Sequence, residues 1–241
     1  MNIVIDIGNT RTKAGVFKDG KLLHQYAGKL EEVLVNLQSY NASNVIVSAV
    51  GLGVEEAIKA FEGKSTVLVF DRLLKFPLEI EYSTPETLGL DRLAAALGAV
   101  ALKPGKNTLV IDMGSCITID FIKEGKVFCG GVISPGFDMR FKAMHTFTAK
   151  LPLLSSVELD SNIEQLPAGS TKECMIAGVV MGIKFEIEGH LAYYRSIYSD
   201  TEVTMTGGDA SHFENKFNTP IFTKDSLVLV GLNSVLEYHV T

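Results

Sequence analysis

The chain opens with an apolar run, Ile3-Val4-Ile5, that stops on Asp6-Ile7-Gly8-Asn9-Thr10. An alternating stretch from Thr12 to Phe17 follows, then Lys18-Asp19-Gly20 and a further extended run from Lys21 to Leu23. An Asp-Gly pair between alternating apolar runs is a hairpin signal, so this pattern predicts a three-stranded meander. The same pattern returns in the second half. Leu109-Val-Ile-Asp112-Met113-Gly114-Ser115 is again an apolar strand ending in Asp-x-Gly and a hydroxyl residue. Ile117 to Ile122, the turn Lys123-Glu124-Gly125, and Lys126-Val-Phe128 complete the copy. Each half therefore opens with a meander whose first turn carries Asp-x-Gly.

Between the two copies, Leu30, Val33, Leu34 and Leu37 fall at helical spacing. Asn44 to Val50 reads as a buried strand, Val54 to Phe61 as a helix, Thr66 to Phe70 as a strand, and Phe76 to Tyr82 as an alternating extended stretch. The first half thus runs β-β-β-α-β-α-β, a mixed α/β sheet covered by helices. A helix rich in small residues spans Leu93 to Leu102, with Asp91-Arg92 near its start. After the second meander, Gly130-Gly131 and Pro135-Gly136 bracket a strand, as where backbone passes close to a ligand or another element. Phe137 to Thr148 reads as a helix, and Leu153 to Thr171 as a long functional loop without periodicity. Lys172 to Tyr198 reads as one long helix capped by Thr171. Its apolar stripe, Ile176, Val179, Val180, Ile183 and Ile187, must be covered either within its own domain or by a second copy. Glu202 to Thr206 is a strand running into Gly207-Gly208-Asp209, which suits a strand-to-helix turn or an adenosine against bare backbone. Apolar stretches at Thr219–Phe222 and Leu227–Val230 and a helix from about Leu232 close the chain.

Bulk composition narrows the function classes. With 241 residues there is ample length for buried cores, and 46% hydrophobic with 21% charged residues is ordinary for a globular protein. A net charge of −6 with no basic block argues against nucleic acid as the main partner. Cys116, Cys129 and Cys174 have neither CxxC nor metal spacing, and are expected to be reduced, mostly buried thiols of a cytoplasmic protein. No signal-peptide pattern opens the sequence, and the apolar run ending at Lys184 is too short to span a bilayer. Neither secretion nor a membrane is expected.

Candidate chemistry gathers at the two Asp-x-Gly turns. An acid closing a strand can hold a metal–water cluster, Gly8 lets a phosphate approach the backbone, and Asn9 and Thr10 supply short donors. Turn chemistry alone uses the same residue types; the second copy favours a phosphate site. Gly63-Lys64-Ser65 and Gly105-Lys106-Asn107 are not P-loops, since the earlier glycine is missing and a strand follows each. Asp91-Arg92 admits two readings: dipole placement with a solvated arginine, or a carboxylate base beside a guanidinium that grips an anionic substrate. The five histidines show no ligand or triad spacing.

The duplicated modules resemble the actin, sugar-kinase and heat-shock-chaperone superfamily. Over nearly its whole length the chain resembles the type III pantothenate kinases. The motifs are Asp6-x-Gly-Asn-Thr-x-x-Lys13, Tyr82-x-x-Pro-x-x-x-Gly-x-Asp-Arg92, Asp112-x-Gly-Ser115, Gly130-Gly-x-Ile-x-Pro-Gly136, Thr148-Ala-x-Leu-Pro152, Thr206-Gly-Gly208 and Leu227-Val-Leu-x-Gly-Leu232. The resemblance implies two ribonuclease-H-like domains, 1–105 and 106–241, each a mixed sheet opening with a three-stranded meander and flanked by helices. It implies ATP-dependent phosphorylation of pantothenate to 4′-phosphopantothenate, the first step towards coenzyme A. Asp6, Ile7, Gly8, Asn9, Thr10, Arg11, Thr12 and Lys13 would hold the ATP phosphates and Mg2+, helped by Ser115. Tyr82, Gly89, Leu90, Asp91 and Arg92 would line the pantothenate site, with Asp91 as proton acceptor. Asp112 would bind a monovalent cation, K+ or NH4+. Thr171 would contact pantothenate from the neighbouring subunit of a homodimer. Met113, Ser115 and Cys116 stand where the family often has Ala, Thr and Ala. The rival readings are another small-molecule kinase of the superfamily and a nucleotide-binding accessory protein without turnover.

Overall fold

The structure, a computed structural model, describes residues 1–8, 11–49, 53–158, 166–213, 216–217 and 221–240. Two compact units result: Met1–Gly105 with Ile122–Cys129 and Ser226–Thr241, and Lys106–Phe121 with Gly130–Asp225.

In the first unit, β1 (Asn2–Ile7), β2 (Thr12–Lys18) and β3 (Lys21–Gly28) form the expected meander. The turn between β2 and β3 has positive φ at both Asp19 and Gly20, as a two-residue hairpin loop requires. Helix α1 (Leu30–Leu37) leads to β4 (Asn44–Ala49), and α2 (Val54–Phe61) leads to β5 (Thr66–Val69). The strand order is β3-β2-β1-β4-β5, with β1, β4 and β5 parallel. Alternation along the central strands assigns the two faces. Ile3, Ile5, Val45 and Val47 pack under α1 and α2 with Leu37 and Ala57, all fully buried.

Strand β6 (Glu79–Ile80) is all of the expected Phe76–Tyr82 stretch that forms a ladder. A short 3-10 turn, Pro85–Thr87, precedes α3 (Leu90–Leu102). The terminal helix α6 (Leu227–Val240) packs on α3 and on β1 and β4. It starts at Leu227, where the sequence suggested a separate apolar stretch, and it belongs to the first unit although it ends the second half of the chain. The cause is its environment. Leu227, Leu229, Leu232, Val235 and Leu236 are all buried, so the helix is apolar on more than one side and shows no clean period.

The second half repeats the plan. Strands β7 (Thr108–Met113), β8 (Cys116–Lys123) and β9 (Val127–Pro135) are followed by α4 (Phe137–Thr146), α5 (Thr171–Ile197), β10 (Glu202–Thr206) and β11 (Phe222–Thr223). Their sheet runs β11-β10-β7-β8-β9-β6. Read from β9 to β11, that order reproduces β3-β2-β1-β4-β5, so the duplication seen in the sequence is a duplication of topology.

In the second unit, the stripe of Ile176, Val179, Val180, Ile183 and Ile187 is buried within the chain itself. Phe121 stacks on Tyr194 and Tyr198 at 4.8 and 4.9 Å and anchors the far end of α5. Arg140 ties α4 to α5 through an ion pair with Glu186, and its Nε donates to the Pro135 carbonyl at 2.7 Å.

Candidate active site

Strand β1 delivers Asp6 to the edge of the first turn, and antiparallel pairing sets Lys13 opposite it. Burial pushes the Asp6 carboxyl up to about 6; Lys13 draws it down, and Asp91 pushes it further up. These three side chains therefore share one electrostatic neighbourhood. Ile7, Gly8, Arg11 and Thr12 line a groove of about 390 Å³ with the starts of α1 and α2. Asn9 and Thr10 lie outside the described residues.

Asp91 and Arg92 occupy the first turn of α3, after Gly89 as N-cap. Asp91 is exposed, and its Oδ1 accepts from the Arg92 backbone N–H at 2.8 Å. A Cβ on Gly89 would press on that same carboxylate oxygen, so the glycine keeps the acid's position open. Arg92 is only 8% exposed, which rules out the solvated arginine. Its guanidinium carbon lies 5.8 Å from the Tyr82 ring centroid and 5.9 Å from that of Phe128. Both distances fall within cation–π range. Leu90 is half-buried at the start of the helix.

In the second unit, Asp112 sits half-buried near the end of β7, in register with Thr206 of β10. The Gly114 N–H donates to the Cys116 carbonyl at 3.0 Å, and the Gly136 N–H to the Ser115 carbonyl at 3.1 Å. These bonds close a tight turn and leave Ser115 exposed. Asp209 follows Gly207 and Gly208. Burial raises its carboxyl, His212 lowers it and Asp138 raises it.

The family model for type III pantothenate kinases matches residues 2–192. The chain belongs to the type III pantothenate kinase family. It is 42% identical over 241 residues to the type III pantothenate kinase of Cytophaga hutchinsonii, with all of both chains covered. To that of Christiangramia forsetii it is 36% identical over 246 residues, again with both chains covered in full. Among solved structures, a Baf family protein from Campylobacter jejuni is similar at a TM-score of 0.64 and 20% identity, covering 98% of each chain. ROK hexokinase from Thermus thermophilus is similar at a TM-score of 0.52 and 14% identity, covering 99% of this chain and 98% of its own. Those identities speak for fold alone: a sugar-kinase-like ATPase fold with a ribonuclease-H-like plan in each half.

Of the residues the family resemblance singled out, the first unit brings Asp6, Lys13 and Asp91 together, and Tyr82 with Arg92. Thr171 is exposed at the first position of α5. The cap is its neighbour: Ser170 Oγ accepts from the Glu173 N–H at 3.2 Å. Both are hydroxyl residues, so the sequence alone could not separate cap from first helical residue. The three thiols are free, but Cys116 and Cys129 are half-buried and Cys174 is exposed, against the expectation of burial. Sequence reasoning missed Phe128, which it placed only as a strand residue after a turn. The alternating stretch that holds its partner strand was legible, but the pairing of that strand with β9 was not, because it joins segments far apart in the chain.

Proposed function

We propose that the protein transfers the γ-phosphoryl group of ATP to the primary hydroxyl of pantothenate, giving 4′-phosphopantothenate and ADP, the first step towards coenzyme A. The observation that carries this reading beyond family membership is the burial of Arg92 next to an exposed Asp91. A guanidinium held off water by two rings suits a carboxylate, and pantothenate carries one. Asp91 accepts the hydroxyl proton as that oxygen bonds to the γ-phosphorus and the bond to the bridging oxygen of ADP breaks. Such transfer needs alignment and charge neutralisation more than covalent help.

Asp6 fits a divalent cation: a buried carboxyl raised to about 6 beside Asp91 is relieved by positive charge. Mg2+ bound there would neutralise charge on the phosphates. Lys13, Arg11 and the turn from Gly8 would receive the phosphates, with Asn9, Thr10 and Ser115. Asp112 offers an oxygen ligand suited to K+ or NH4+.

A homodimer is part of the reading. The stripe on α5 is covered within the chain, so it does not argue for a partner. Support comes from exposed aromatic residues elsewhere: Phe185 is 56% and Phe147 85% exposed, in the same unit as the exposed Thr171. The free thiols support a cytoplasmic setting, and among the described residues no helix is long and apolar enough to cross a membrane.

A coupled assay of ADP release tests the proposal. Release that depends on pantothenate is expected. Nucleotide binding without it would leave the accessory-protein reading standing instead.

A further inference from the structure

We infer that Phe128 is a positioning residue of the substrate site: with Tyr82 it holds the Arg92 guanidinium where the carboxylate of the acceptor arrives. The inference rests on the pantothenate reading above and goes further, to a residue no motif contains.

The two rings and the guanidinium carbon form a nearly equilateral triangle. Ring centroids are 6.2 Å apart with planes tilted by 60°, and the carbon stands 5.8 and 5.9 Å from them. Arg92 thus sits in the notch between two aromatic groups, over the negative face of each ring. The backbone sets the notch. Ile80 is in register with Phe128, and the Glu81 N–H donates to the Phe128 carbonyl at 2.9 Å. The Glu81 bond carries the extended backbone one step past the end of β6, and Tyr82, two residues after Ile80, meets the Phe128 ring. Phe128 has no exposed surface, whereas Tyr82 is half-buried. Tyr82 can touch substrate; Phe128 acts only through what it packs against. A long arginine fixed before substrate binds loses its rotamer freedom on folding and not on binding, which tightens the complex without touching the chemical step.

The test compares Phe128→Leu, Phe128→Met and Phe128→Tyr on two acceptors: pantothenate, and panthenol, in which an alcohol replaces the carboxylate. Loss of one ring from the notch should raise KM for pantothenate about 3- to 30-fold in the Leu and Met variants, with kcat and KM for ATP nearly unchanged. Phe128→Tyr should restore the original KM. The preference for pantothenate over panthenol, as a ratio of kcat/KM, should fall by the same factor. That ratio does not depend on how much of a variant is folded. An unchanged preference in both Leu and Met variants overturns the inference, whatever happens to overall activity. Failure of the unaltered protein to phosphorylate pantothenate at all overturns the functional reading, and this inference with it.

Discussion

Gly231 of α6 passes so close to the carbonyl oxygen of Ala94 in α3 that any side-chain carbon on it would overlap that oxygen. The contact is backbone to backbone, so no rotamer can yield. Helix α3 carries the candidate site pair Asp91 and Arg92 in its first turn.

Gly231→Ala should therefore destabilise the protein by at least about 2 kcal/mol, towards the upper end for overpacking. Gly189, in the interior of α5, is exposed and meets nothing within 4 Å. Gly189→Ala should be neutral or stabilising by up to about 1 kcal/mol, from helix propensity alone. Urea midpoints of the two variants check this. Equal behaviour would mean that the α3–α6 approach is looser than the structure has it.

The Asp6 carboxyl titrates near 6 in the folded chain, against about 3.9 for an unfolded aspartate. The folded state thus holds its proton through a window in which the unfolded state has lost it, and stability falls as pH rises from about 4 to about 6. Asp6→Asn keeps the shape of the protonated acid. Without Mg2+ or nucleotide, it should match the unaltered protein near pH 4 and exceed it above pH 6 by about 2–3 kcal/mol. Unfolding curves at pH 4 and 7.5 measure the difference. A difference that does not change between those pH values removes the raised acid from the account.

Much of this was legible in the sequence, and the reasons differ by element. The meanders were readable because Asp19-Gly20 and Glu124-Gly125 both need positive φ, which few residue pairs supply. Helices α1 and α2 were readable because one face is buried and the other wet. Helix α6 was only partly readable, since Leu227 to Leu236 is enclosed on more than one side. Asp91-Arg92 was visible as a pair, but the burial of Arg92 was not. One of the rings beside it is Phe128, brought in by a parallel register between strands far apart in the chain. Pairing of that kind leaves no local pattern to read.

Asp112 leads to a salt-specific expectation. At constant ionic strength, turnover should be high in K+ or NH4+ and low in Na+, and Asp112→Ala should lose the difference. Steady-state rates in the three chlorides suffice. Equal rates in all three for the unaltered protein would take the cation role away from Asp112.

Thr171 bears on assembly. If its hydroxyl serves the Asp91 of a second subunit, neither site is complete in a monomer. Mixing inactive Asp91→Asn and Thr171→Ala proteins under conditions of subunit exchange should then restore activity, because one site of each mixed dimer draws both residues from unaltered positions. Proven exchange with no recovery would put Thr171 in its own subunit's site or outside it.

The most direct test of the whole account is the identity and rate of the product. Mass spectrometry of a reaction with ATP, Mg2+, K+ and pantothenate should show 4′-phosphopantothenate forming with the unaltered protein. It should form about 10²–10⁴-fold more slowly with Asp91→Asn, at an unchanged KM for ATP, as loss of a general base requires. ATP hydrolysis indifferent to pantothenate would contradict the account. So would an Asn variant that keeps more than about a tenth of the turnover.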